Sequence, residues 1–185
     1  MKKFLIGLVI GILLVPIGFY LYCRSGHAPV ATASAPMPLE RFFAKTALHA
    51  TIHREAPKNV PFPATADNLF GGVMVYRQNC AFCHSLPNQQ PSPAARGMFP
   101  KPPALFSQRG MVTDDPAGVT YWKVKNGIRL TGMPGFGKSL SNLQMWQVSL
   151  LLKHANHLPA TVAAALSALP ASPKPAGGNK TKKKA

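Results

Sequence analysis

Cys80-Ala81-Phe82-Cys83-His84 is the stretch that decides how this chain folds. Two thiols at this spacing come to the same side of one helical turn, and an imidazole follows directly. Each thiol can then add to one of two neighbouring vinyl groups of a single porphyrin, with the imidazole beneath its iron. The motif therefore predicts one covalent haem c, held by Cys80 and Cys83, with His84 as a ligand of the iron.

Other uses of a C-x-x-C pair fit this sequence less well. A thioredoxin-type pair belongs in a strand–helix–strand setting, and no segment here has a strand pattern. A zinc site needs two further thiolate or imidazole ligands nearby. His49 and His53 lie one helical turn apart but have no companions, which is typical of a solvated helix face. We expect a haem rather than a disulfide or a zinc ion.

The iron needs a ligand on its other face, and methionine opposite histidine raises the reduction potential of a haem. Met133 is favoured because it lies in Thr131–Gly137, a glycine-punctuated turn stiffened by proline, which can push one side chain inward. Met98, Met111 and Met145 stay open as alternatives. Without a methionine ligand, an open site would bind small gases.

The N-terminus is predicted to anchor the chain in a membrane. Phe4–Tyr22 is uncharged and apolar, and as a helix it is long enough to cross the hydrocarbon layer. Lys2 and Lys3 precede it and only Arg24 follows, so the positive-inside rule places the rest of the chain outside the cytoplasm. We expect a single-pass protein of the bacterial cytoplasmic (inner) membrane, with its haem domain on the periplasmic side.

Two alternatives to an uncut anchor apply to residues 1–24. A cleaved secretory signal would use Ala31-Thr32-Ala33 as its site, and would export the domain equally. Lipoprotein processing at Cys23 requires a small preceding residue, whereas Tyr22 is bulky. The apolar run exceeds an ordinary signal h-region, which favours the uncut anchor.

The segments between the anchor and the haem motif differ in composition. Residues 25–38 are small, proline-containing and nearly uncharged, as in an extended spacer. Residues 39–66 form a lead-in segment, in which Leu39–Ala56 predicts an amphipathic helix, followed by a proline-rich connector. Its apolar positions are Leu39, Phe42, Phe43, Ala47 and Leu48.

Residues 67–158 carry the remaining helix signals. Asp67 or Asn68 is predicted to cap a helix that runs to Asn79 and delivers Cys80. Residues 85–113 contain six prolines and are expected to form a long ordered loop. The next helix is predicted to start with Asp115 as its N-cap and Pro116 as its first helical residue, and to end at Gly127.

A last helix and a C-terminal tail are predicted after residue 140. Ser141-x-x-Gln144 is a capping box, and Leu143, Trp146, Leu150 and His154 follow one stripe behind it. The Ala/Pro/Lys-rich residues 159–185 have little bulky apolar surface and are expected to be disordered.

On these residues, the stretch 67–158 resembles a class I cytochrome c domain. The matching pieces are Gly72 and Tyr76 in the first helix, Trp146 in the last, and Met133-Pro134 in the distal loop. The resemblance implies an all-α fold, a small cytochrome c fold around one covalent haem, here preceded by a single transmembrane helix and an amphipathic lead-in helix. It also implies that the first and last helices cross, with a small residue at the crossing.

The resemblance implies roles for three further residues. Pro103-Ala104-Leu105 matches the family's P-x-L, so the Pro103 carbonyl would accept the His84 ring N–H, although Pro100 and Pro102 compete for this assignment. Arg109 and Trp122 are similar in position to residues that bind haem propionates. For Arg109 a solvated side chain, and for Trp122 core packing, are the alternatives.

Charge and resemblance together indicate a function. The chain has 21 Lys and Arg against 5 Asp and Glu, a net charge of +16, which suits acidic redox partners. Export argues against a nucleic-acid ligand. Residues 121–134 are similar to haem domains of bacterial membrane-bound cytochromes that serve dehydrogenases and terminal oxidases. We expect a one-electron carrier of a respiratory chain, not an enzyme; the alternatives are a subunit of a membrane dehydrogenase or oxidase complex, and a haem sensor or peroxidase.

Overall fold

A computed structural model describes residues 1–107 and 112–168. The ordered elements in these residues are all helical, which confirms the all-α prediction. The long helices are α1 (Lys2–Arg24), α2 (Glu40–Glu55), α3 (Ala66–Asn79), α6 (Ala117–Asn126) and α7 (Asn142–Lys153). The short ones are α4 (Ala81–His84), α5 (Pro93–Gly97) and α8 (Ala160–Ser167), with a 3-10 turn at Val112–Asp114.

Helix α1 stands apart from the core. Every residue in it is exposed, and its mean hydropathy reaches 2.6 over its most apolar window. Its length and composition suit a membrane span. An apolar helix with no protein against it needs another apolar environment, which supports membrane anchoring.

Helices α3 and α7 cross closely and form the centre of the core. Val73, Tyr76, Val148 and Leu151 are almost completely buried there. The close approach depends on Gly72, because a Cβ atom at that position would overlap the backbone carbonyl of Gln147. The small residue expected at the crossing is therefore present.

Helix α6 completes this core against α7. The rings of Tyr121 and Trp146 stack, with centroids 4.3 Å apart and planes inclined by 18°. On its other side α6 meets the connector, where the Gly118 Cα lies against the Pro57 carbonyl with no room for a Cβ. The connector after α2 is thus packed into the domain.

Three predicted helix boundaries can be compared with the structure. The capping box of α7 is confirmed, with both the Ser141 and Gln144 hydrogen bonds formed. The cap of α3 is Thr65, not Asp67 or Asn68; its hydroxyl accepts the Asn68 N–H at 3.3 Å. Helix α6 ends before Gly127, as expected, but it starts at Ala117 with Pro116 as its N-cap residue, so Asp115 is not the cap and Pro116 is not the first helical residue. The Asp115 carboxylate accepts a hydrogen bond from Lys123 Nζ at 2.8 Å.

The prediction of disorder from residue 159 is wrong for residues 160–167. They form α8, which packs against α3 and buries Val162 and Leu166 almost completely. The Arg77 guanidinium donates to the carbonyl of Ala165 at 2.8 Å and also to that of Ala168, so α3 holds the C-terminal end of α8. The folded domain therefore extends beyond the predicted limit at residue 158.

The segment 85–113 is not wholly a loop. Ser92 caps α5, accepting the Ala95 N–H at 3.1 Å, and Pro93 occupies the first helical turn. Ser-Pro is a recognisable helix start, so this short helix had a sequence signal that the count of prolines obscured.

Candidate functional site

The two cysteines of the motif lie on one turn of backbone. Cys80 ends α3 and begins α4, and its carbonyl accepts the N–H groups of Cys83 and His84 at 3.1 and 2.9 Å. Both thiols are half-buried and neither is in a disulfide within the described residues. The turn thus presents two thiols and an imidazole together, as the spacing predicts.

Burial sets the protonation of Cys80. It raises the pKa of this thiol to about 12, with a smaller contribution from the neighbouring Cys83. At neutral pH the Cys80 sulfur is therefore protonated and uncharged. A neutral thiol in an apolar setting suits addition of S–H across a carbon–carbon double bond, a reaction that needs no oxidant.

His84 is oriented by the proline-rich loop. Its Nδ1 lies 2.8 Å from the Pro103 carbonyl oxygen, so Nδ1–H donates and Nε2 carries the lone pair. Burial lowers the pKa of His84, and this hydrogen bond opposes the change only in part. The neutral imidazole that a metal requires is therefore favoured. Of the three competing prolines, Pro103 is the one in contact with the ring.

A buried tyrosine fixes the backbone directly after the imidazole. The Tyr76 hydroxyl donates to the carbonyls of Ser85 and His84 at 2.6 and 3.3 Å, and its ring meets Phe106 edge-on at 5.0 Å. Burial raises the pKa of Tyr76 well above its ordinary value, so the hydroxyl remains a donor. Tyr76 is one of the residues on which the resemblance rests, but neither the resemblance nor the helical pattern predicted this hydrogen bond.

The Met133 loop folds back onto the end of α6. The Met133 carbonyl accepts the Ile128 N–H at 3.1 Å, and its N–H donates to the Thr131 hydroxyl at 3.1 Å. Gly127, at a φ of +70°, lies against the backbone of residues 133–135, where a side chain would not fit. The Met133 side chain is half-buried and packs against the core.

The alternative methionines are placed differently. Met98 lies against the same loop: a Cβ on Gly132 would be 2.9 Å from its sulfur. Met145 is buried in α7. Met111 lies outside the described residues. The structure therefore brings Met98 beside Gly132, the residue before Met133, a proximity that their separation in the sequence did not suggest.

Of the two residues assigned to haem propionates, only Trp122 lies within the described residues. The Trp122 indole N–H donates to the Glu55 carboxylate at 3.1 Å. Its partner here is thus a protein carboxylate on α2, and a propionate contact stays a prediction. Arg109 lies outside the described residues.

The side chains at this site suit a covalent haem. Two thiols and one neutral imidazole, with its other nitrogen already bonded, match the protein's share of a haem c attachment. Partly buried apolar groups that a flat apolar cofactor would cover lie around the core: Ala81, Leu105, Phe106, Met133 and Phe136. Across residues 1–107 and 112–168, no cluster of three or more His, Cys, Asp or Glu offers a rival metal site.

Part of the chain matches a known protein family. Residues 67–150, a little under half of the chain, match the family described as cytochrome c oxidase, cbb3-type, subunit III. No curated protein matches the chain. The match begins one residue after the start of α3 and ends within α7, so it contains Cys80, Cys83, His84, Pro103 and Met133.

Proposed function

Because residues 67–150 form a c-type cytochrome domain, which binds haem c covalently and transfers electrons through its iron, we propose that this protein is a membrane-anchored one-electron carrier. The observation that carries the proposal is the turn 80–84, with its two free thiols and the His84 ring bonded to Pro103. Haem supplies a reversible one-electron change at iron. No substrate bond is made or broken, so the protein acts as a carrier rather than an enzyme.

Each site residue has a separate task in this proposal. Cys80 and Cys83 would hold the haem through thioethers, and His84 would bind iron through Nε2. The Pro103 carbonyl keeps the imidazole in the Nδ1–H tautomer and strengthens its donation. Met133, on the loop that closes against α6, would be the second axial ligand and raise the potential.

The location follows from α1. Its exposed apolar surface supports a single span, and Lys2 and Lys3 before it favour a cytoplasmic N-terminus. The haem domain would then lie on the outer, periplasmic side of the bacterial inner membrane. There it would pass electrons between respiratory donors and acceptors.

A second candidate is a haem subunit of an oxidase complex. The matching family is described as an oxidase subunit, which favours this candidate. Isolation in mild detergent distinguishes the two: a carrier purifies alone, whereas a subunit brings a stoichiometric catalytic partner.

The axial ligands can be tested by spectroscopy and redox titration of the full chain. We expect Met133→Ala to abolish the methionine-to-iron charge-transfer band of the ferric protein and to lower the potential. Met98→Ala is the matched control and should keep the band. Loss of the band in Met98→Ala alone would assign the ligand to Met98.

Haem attachment and the sensor alternative need their own measurements. Cys80→Ala with Cys83→Ala should leave the chain without covalent haem in a host that matures c-type cytochromes. Binding of carbon monoxide by the ferrous wild type would contradict a methionine-capped iron and favour a sensor or peroxidase.

A further inference from the structure

Helix α2 has two distinct apolar faces. One face packs on the domain: Ile52 is buried, Leu48 is half-buried, and Glu55 bonds Trp122 of α6. A single packed face would satisfy the ordinary pattern of a surface helix. The other apolar positions of α2 therefore need a separate explanation.

The second face points away from the domain. Leu39 just before the helix, Phe42 and Phe43 are 64%, 62% and 62% exposed, and the two phenyl rings meet edge-on at 5.4 Å. At 100° per residue these three side chains lie together, roughly opposite Leu48 and Ile52. Ala50, also exposed, continues the stripe along the next turns. Bulky apolar groups clustered in this way mark a contact surface.

The charges around this face favour an anionic partner. Both carboxylates of α2 are already engaged: Glu40 accepts the Met37 N–H at 2.9 Å, and Glu55 bonds Arg54 and Trp122. Lys45 is exposed and borders the stripe beside Phe42, whereas Arg41 lies on the packed side of α2, over the Phe99 ring. Phenyl groups on one face with Lys and Arg beside them are characteristic of helices that lie in a membrane interface.

Chain continuity favours the membrane itself as the anionic partner. Residues 25–39 connect the end of α1 to α2, and even fully extended they would reach roughly 50 Å. They are not fully extended, since the Ser34 N–H bonds the Ala31 carbonyl at 3.0 Å in a turn. Several residues between Pro29 and Pro36 also line a surface cavity with Glu40, Phe99 and Leu130. The start of α2 is thus held near the lipid that surrounds α1.

We propose that the outer face of α2, Leu39, Phe42 and Phe43, lies in the headgroup region of the membrane that holds α1 and binds its anionic lipids. This inference rests on the membrane anchor in the proposed function. Since the cavity at the start of α2 also includes Leu130, three residues before Met133, this placement turns the distal-loop side of the domain toward the membrane. An electron partner embedded in the same membrane would meet that side.

The test uses the full haem-loaded chain in vesicles of phosphatidylcholine and phosphatidylglycerol. Cys23→Ser provides the background, and Phe43→Cys carries an environment-sensitive fluorophore. We expect a blue-shifted emission maximum and loss of emission when spin-labelled lipid is added. The matched control carries the same fluorophore at Leu143→Cys, another exposed apolar position, on α7. Its emission should be that of a water-exposed label.

Two further measurements separate the outcomes. Alkaline carbonate should leave the chain in the vesicles; its release would overturn the anchor, and this proposal with it. Retention of the chain together with a water-like signal at residue 43 overturns this proposal alone and leaves a protein as the occupant of the face. A fluorophore attached at Leu130→Cys should also show the blue-shifted emission of a lipid environment. Adding Phe42→Ser and Phe43→Ser to that variant should restore the emission of a water-exposed label.

Discussion

At the scale of single residues, the haem-binding turn carries a conformational cost at Ser85. Its φ of 63° and ψ of 160° lie in a region that is essentially restricted to glycine. Its buried hydroxyl also finds no hydrogen-bond partner among the described residues. The Tyr76 hydroxyl bonds the Ser85 carbonyl and helps to hold the residue in this conformation.

Replacing Ser85 by glycine should therefore stabilise the protein. Relief of strain is worth about 1–3 kcal/mol, and the added flexibility of the unfolded chain offsets about 0.5–1 kcal/mol. We expect a net gain of about 1 kcal/mol in the free energy of unfolding of the haem-loaded protein, measured in urea. Asn88→Gly is the control, since Asn88 is exposed and asparagine tolerates its φ of 59°. A loss of stability in Ser85→Gly would show that the side chain has a favourable partner.

At this scale the sequence predicts geometry best where a motif is local. The cysteine pair and His84 depend on neighbours within one turn, so spacing alone predicts them. The Pro103 contact came only through resemblance, since the bond spans 19 positions. The Glu55–Trp122 bond joins residues 67 positions apart, and no local pattern signals such a pair.

At the scale of elements, the crossing of α3 and α7 depends on the absence of one side chain. Gly72→Ala should force these helices apart, because the added methyl meets backbone rather than a movable side chain. We expect a loss of about 1–3 kcal/mol in the free energy of unfolding, and a shifted potential if the helices separate around the haem. Gly71→Ala is the matched control, since its methyl would meet only the Gln147 side chain. Equal losses in both variants would refute the special role of Gly72.

The attachment of α2 to α6 should depend on pH. Hydrogen bonds from Arg54 and, to a smaller extent, from Trp122 lower the pKa of Glu55. The ionised Glu55 carboxylate therefore stabilises the folded protein fully at pH values above the ordinary carboxyl pKa, about 4.3. The effect is lost as the pH falls through the lowered folded-state value. Wild type should therefore be more stable than Glu55→Gln at neutral pH, and the difference should vanish in acid. Urea unfolding at both pH values checks this; a constant difference would exclude the ionised carboxylate as its cause.

The sequence predicts poorly those elements whose exposure or stability depends on residues far away along the chain. The pattern of α2 indicated an amphipathic helix but not that Phe42 and Phe43 lie on the exposed side. Helix α8 lies in a segment, residues 159–185, that was expected to be disordered because it has little bulky apolar surface. Only the side of α3, which receives Val162 and Leu166, makes it stable.

At the scale of the whole molecule, the excess of basic residues should govern association. A net charge of +16 attracts acidic partners over long range, and salt screens that attraction. We expect the second-order rate of electron transfer to the physiological partner to fall about tenfold or more between low and physiological ionic strength. Stopped-flow kinetics measure this rate.

A variant of the C-terminal lysines would distinguish the charge of the tail from the charge of the haem domain. Changing Lys180, Lys182, Lys183 and Lys184 to glutamine should leave most of the salt dependence if the haem domain itself carries the docking charge. A wild-type rate that does not respond to salt would remove charge steering altogether.

The hydrogen bonds from Arg77 to carbonyls of residues 165–168 affect the order of folding and haem attachment. They join positions 88 to 91 residues apart, with Arg77 three places before the first haem thiol. Contacts of such separation form late in folding. One flank of the cysteine-bearing helix therefore remains uncovered until residues 165–168 have been synthesised, which leaves the enzymes of haem ligation an interval in which to reach a flexible substrate.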